Sequence, residues 1–210
     1  MLAYLRQGFA QHVKANIVQY FLVVLVFMLG IVAGSMAVKI LPDASKTELA
    51  RCLTIFLQGI GSAPEGGALL LAPALLHYLK MILLVWVLGF TIIGIPFVLF
   101  IVFTRGFIIG FTVGFLVNLY VFKGLFFAVV SVLPHNLLIL PALFLMSVAA
   151  MGFSADLIKR NKSLQQRLFT ASLQYTAVCA FSCGGVLLGT LTEVYVSPVF
   201  MRLVAELMQP

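Results

Sequence analysis

An all-α membrane protein, a helical bundle of about five crossings with amphipathic interfacial helices, is the fold class the sequence predicts. Three observations predict it. Only 9% of the 210 residues are charged, against about 25% in a typical soluble domain. Hydrophobic residues make up 63%, with 19 phenylalanines among them, and they fall in long unbroken runs rather than alternating, as in chains whose solvent is lipid. The basic residues behind the net charge of +7 are scattered or stand beside those runs, where membrane-flanking cations belong. Nucleic acid is therefore not an expected partner; the lipid bilayer is.

The first apolar run, 17–38, is long enough to cross a bilayer. It is longer than a usual signal-peptide core, which argues for retention, although Ser35-Met36-Ala37 resembles a cleavage site. Gly30 and Gly34 form a G-x-x-x-G pair within it. Residues 39–73 are the longest polar stretch. Leu49, Leu53, Phe56 and Ile60 recur there at helical spacing, with Thr47, Arg51, Thr54 and Gln58 between them. Ser45 and Glu48 match a capping box, so an amphipathic helix is expected over 44–61, on the membrane surface, on a partner or on the bundle itself.

The second crossing is expected over 81–104, kinked by Gly89, Gly94 and Pro96, with His77 and Lys80 in front of it as headgroup contacts and Arg105 as the anchor that stops it. A third runs over 106–122. The next apolar stretch, 124–152, is too long for one untilted span. Pro134-His135-Asn136 is expected to break it, leaving 124–133 as a half-helix and 137–153 as the fourth crossing, although two crossings there would also fit. The fifth is expected over 168–191. A second amphipathic segment, 192–210, carries Val199, Leu203 and Leu207 on one side with Arg202 and Glu206 opposite.

Lysine and arginine set the expected orientation. Segment 154–167 holds four basic residues and the first sixteen residues hold two, whereas 39–80 spreads four over a longer and partly acidic stretch. The dense segments are expected to be cytoplasmic, with the N-terminus inside and the C-terminus outside.

Chemistry is sparse. No H-E-x-x-H, G-x-S-x-G or phosphate-binding glycine loop occurs, so no enzyme activity, catalytic residue, cofactor or metal is expected. Cys179 and Cys183 share a helix face as small packing residues. His135 could be a gate or proton relay; the plainer reading is that it and Asn136 satisfy backbone groups freed by Pro134. The most specific physical signal is packing: Gly106, Gly110 and Gly114 in one run, and Gly185 with Gly189 in another, stack at four-residue spacing and let a second backbone approach. These faces could serve the bundle or a homodimer.

The layout resembles that of the stage II sporulation protein M family of endospore-forming bacteria. The resemblance spans essentially the whole chain: the basic start, an early anchor, the polar segment ending Phe56-Leu57-Gln58-Gly59, the run Arg105-Gly106-Phe107-Ile108-Ile109-Gly110, and Pro134-His135-Asn136-Leu137-Leu138-Ile139-Leu140-Pro141-Ala142. A broader set of relatives carries Pro-His-Gly and a glutamate in the last element, where this chain has Asn136 and Ile139, so a glutamate-dependent activity is not implied. The resemblance implies a non-enzymatic scaffold of the mother-cell membrane. Such a scaffold gathers two peptidoglycan-degrading partners, stage II sporulation proteins D and P, during engulfment. A channel or small-solute permease, with 124–141 as its pathway, is the alternative.

Overall fold

The computed structural model describes residues 16–62, 67–91, 93–158, 165–196 and 199, and every regular element among them is helical. Helix α1, Ile17–Ile40, is apolar on all sides, as a lipid-solvated span must be. It stops where Leu41 turns extended ahead of Pro42. Helix α2, Asp43–Ser62, follows at once. Asp43 in its first turn favours the helix dipole and pairs with Lys46 at 3.2 Å. The helix thus starts ahead of the Ser45 capping box, because Pro42 already forces the break and its carbonyl accepts from the Lys46 amide.

Helix α3, Gly67–Gly89, comes next, and α4, Gly94–Ile158, begins after a tight reversal. Amides of Phe90, Thr91 and Gly94 bond back to Val87, Leu88 and Thr91, and the Thr91 hydroxyl donates to the Leu88 carbonyl at 2.7 Å. A side chain at Gly94 would run into the Leu88 carbonyl, so this reversal requires glycine there. The crossing expected over 81–104 is therefore corrected. Its glycines make a turn, not a kink, and its halves belong to α3 and α4. Arg105 does not end a helix but lies inside α4.

Straight, the 65 residues of α4 would reach about 98 Å, some three times the hydrocarbon thickness of a bilayer. The helix is broken once, at Val121 (φ 49°, ψ −118°). Buried Gly124 then lets the second limb fold back: a Cβ there would meet the Leu116 carbonyl and stand 3.1 Å from Tyr120 Cβ. The limbs, 94–120 and 122–158, are about 40 and 55 Å long. The break expected at Pro134-His135-Asn136 is a second correction, since helix runs through Pro134 and Pro141. There the Asn136 side-chain amide adds a bond to the Val132 carbonyl at 2.8 Å.

Helix α5, Gln165–Leu191, ends in a π-helical turn, Thr192–Val196. Among the described residues four helical stretches are long and apolar enough to cross a membrane: Ile17–Ile40, Leu71–Gly89, Gly94–Leu157 and Thr170–Val196. The bend at Val121 doubles the third, giving five apolar rods. The bundle has two distinct ends. Gly152 faces Gln19 of α1, and the Ser154 hydroxyl donates to the Thr91 carbonyl at 2.7 Å, so the start of α1, the 90–93 turn and the end of α4 share one end. The Val121 bend and α2, whose Leu53 packs with Leu116, Phe127 and Ala128, mark the other.

Val23, Val85, Val98, Val102, Ile139 and Leu143 are fully buried at the centre. Around them Phe100 is 66% and Phe122 83% exposed, which fits a surface solvated by lipid rather than water. The glycines pair helix against helix. Gly30 and Gly34 of α1 lie against Phe103, Gly106, Phe107 and Phe111, while Gly106, Gly110 and Gly114 lie against Phe27, Ile31 and Ser35. Gly185 faces Ala142 and Gly189 faces Ile139, joining α5 to the second limb of α4. The faces that could have served a homodimer are thus turned inward on the chain's own helices.

Candidate functional site

Once the reversal at 90–93 is placed, the basic residues of α3 and α4 change position relative to the membrane. Gly106 lies against the Phe27 carbonyl. Arg105 therefore stands level with the middle of α1, about 15 Å from its start and about 20 Å from its end. His77 and Lys80 sit well inside the apolar stretch Leu71–Gly89, not in front of a crossing. A Lys or Arg at the centre of a spanning helix costs about 2.5–3.5 kcal/mol on insertion scales and marks function by default.

Arg105 organises the group. Its guanidinium Cζ lies 4.8 Å above the centroid of the Tyr78 ring, a cation–π geometry. Its Nε donates to the Met81 sulfur at 3.1 Å, and one Nη reaches His77 Nε2 at 3.5 Å. On the inner side, the buried Tyr78 interacts with the carboxylate of Glu193 through a side-chain hydrogen bond. Glu193 belongs to the π-helical turn after α5, and its Oε2 is buried without a hydrogen-bond partner. His135 lies within the electrostatic reach of Glu193 and Arg105, and its Nε2 is 3.0 Å from the Asn136 side-chain nitrogen. Three rods and the end of a fourth thus converge on a string of polar groups inside the bundle: Arg105, Tyr78, Glu193 and His135.

Sequence reasoning misplaces these residues. Arg105, His77 and Lys80 read as boundary anchors, and Glu193 as part of an outer tail. The signal that could have found them is Gly89, Gly94 and Pro96 read as a helix stop and start. Ile139, where the broader set of relatives carries glutamate, is fully buried beside Gly189. The expected pathway over 124–141 has no unwound backbone, since that stretch is helical throughout.

The amphipathic surfaces are described in part. In α2, Leu49 and Leu53 are half-buried while Glu48, Arg51, Cys52 and Thr54 are exposed. The side chains of Phe56 and Ile60 lie outside the described residues, as do Leu203 and Leu207; Val199 is exposed. At the opposite end, a groove of about 550 Å³ is lined by Asn16, Gly152, Asp156, Gln174 and Tyr175. The Tyr175 hydroxyl there lies 3.0 Å from the Val85 carbonyl and 3.1 Å from that of Trp86, satisfying the end of α3. Among the described residues no three His, Cys, Asp or Glu side chains gather as metal ligands.

Fold and site together define a multi-pass, all-α membrane protein with a polar cluster at mid-depth and an amphipathic helix at one end. The chain belongs to the stage II sporulation protein M family, whose sequence model matches residues 23–198. It is thereby a membrane protein of a sporulation family, and the resemblance seen in its sequence holds. No curated protein and no solved structure matches it significantly.

Proposed function

We propose that the chain is a non-enzymatic membrane scaffold that recruits and localises peptidoglycan-degrading partners, stage II sporulation proteins D and P, in the mother-cell membrane during engulfment. The observation that carries this reading is the placement of α2. It is an amphipathic helix at one end of the bundle, and among its described side chains Leu53 is the one packed into a core cluster. Its exposed polar side, with Glu48, Arg51 and Thr54, is left for a partner.

Orientation supports it. The basic segments 1–16 and 154–167 adjoin the start of α1 and the end of α4, which share one end of the bundle. Basic density favours the cytoplasm for that end. The opposite end, with α2, then faces the wall.

Pull-down of the intact chain from sporulating cells is expected to bring down both partners. Proline at Leu53 and Phe56, which breaks α2, is expected to reduce recovery of both at least about tenfold while the chain stays in the membrane. Undiminished recovery would remove α2 as the contact surface; no recovery with the intact chain would remove the scaffold.

A further inference from the structure

The outer side of the α3–α4 seam holds cations that form no ion pair with a carboxylate among the described residues. Lys80 stands midway along Leu71–Gly89 and is exposed, as is His77 on the preceding turn; Arg105 emerges half-buried beside them. Each end of that span is about 14 Å from Lys80 along the helix, whereas an extended lysine side chain reaches only about 6 Å, too short to snorkel clear. Between Leu71 and Ala155 the sequence carries no Asp or Glu. Among the described residues the single ion pair is Lys46 with Asp43, far along the chain in α2. Around the cations the surface is apolar, with Leu76, Leu83 and Leu84 all exposed.

An apolar strip with positive charge at its midpoint is the complement of one kind of occupant. Lipid does not supply it, because anionic headgroups lie at the interface and not at mid-depth. The described residues of a second copy of the chain do not supply it either. Among the described residues its carboxylates are Asp43, Glu48, Asp156 and Glu193; the first two lie in α2, Asp156 lies by the end of α4, and Glu193 is engaged with Tyr78. We propose that the α3–α4 face at Lys80 and Arg105 seats a partner's transmembrane helix carrying an Asp or Glu near its midpoint. Ionisable groups within a bilayer pair with one another, and a buried charge complement of this kind selects the partner more than it adds affinity. The inference deepens the scaffold reading and rests on it, in that it supposes membrane-anchored partners.

The test uses the full chain in lipid vesicles and three probes: a polyleucine transmembrane helix with a central Leu, Asp or Lys, each followed by energy transfer to the labelled chain. The Asp helix is expected to associate at least about tenfold more tightly than the Leu helix. Lys80→Met is expected to remove most of that preference, and Lys80→Glu to pass it to the Lys helix. Lys80 is exposed, so these variants keep the internal Arg105–Tyr78 contacts. Equal association of the Asp and Leu helices, or an unchanged preference in Lys80→Glu, would overturn the proposal. A chain that recovers no wall hydrolases but still prefers the Asp helix would sink the scaffold reading alone. Hydrolase recovery without that preference would sink the seam alone.

Discussion

Gly110→Leu is expected to lower the amount of chain accumulating in the membrane at least about tenfold, because the two backbones it separates cannot part without unpacking α1. A Cβ at Gly110 would overlap the Ile31 carbonyl oxygen and stand 2.7 Å from both Ile31 C and Cα. These atoms are backbone, so no rotamer change relieves the contact. The same holds from the other side, where Gly34 faces the backbone of Phe107 and Phe111. In lipid the force between helices is van der Waals contact, and losing the close approach loses the force itself. Gly184 supplies the control. A Cβ there meets nothing within 4 Å and the residue is exposed, so Gly184→Leu is expected to accumulate normally. Quantifying membrane-fraction protein for the two variants decides the matter; equal and normal levels would show that the glycine seam does not hold the bundle.

The second large effect is expected at Tyr78. Its hydroxyl supplies the side-chain hydrogen bond to Glu193, whose other oxygen already lacks a partner. Tyr78→Phe leaves that carboxylate stranded. The expected loss of unfolding free energy is about 1–3 kcal/mol, the cost of an unsatisfied buried polar group. Replacing both partners is expected to cost less than replacing one, so Tyr78→Phe with Glu193→Leu should recover part of the loss. Reversible unfolding in detergent micelles measures this. A double variant less stable than Tyr78→Phe alone would mean that the hydroxyl and the carboxylate act separately.

Much of the fold was legible because composition alone identifies lipid as the solvent. Helix α1, α5, the amphipathic α2 and the glycine spacings at Gly106, Gly110 and Gly114 could be read from the chain directly. The boundaries inside 81–158 could not. Periodicity locates a helix by contrast between its two faces, and here both faces are apolar. The reversal at 90–93 is built from Phe90, Thr91 and Ile93, with no run of polar residues to announce it. Likewise the bend at Val121 has an apolar residue at its centre, whereas Pro134, which looks like a break, is carried by the helix around it. Charges at the ends of spans are the common case, so in sequence alone Arg105 and Lys80 read as anchors. The position of the 90–93 turn alone decides whether the polar cluster lies inside the membrane.

Arg105, Tyr78 and Glu193 come from three separate elements, and Glu193 lies in the π-helical turn that ends a crossing rather than in its long apolar run. Nothing in local spacing links them; only the antiparallel return of α3 and α4, with α5 closing over them, brings them together. By contrast the family is legible in the linear layout, since it is carried by short apolar motifs that keep their order along the chain.

Everything proposed for Lys80 and Arg105 depends on the reversal at 90–93. It is tested by single cysteines at Thr91, Arg105 and Val121, in a chain whose Cys52, Cys179 and Cys183 are replaced by alanine. A membrane-impermeant maleimide is then applied to one side of sealed vesicles at a time. The account predicts that position 91 labels from one side, position 121 from the opposite side, and position 105 from neither. Labelling at 105 with protection at 91 would restore a crossing over 81–104 and contradict it.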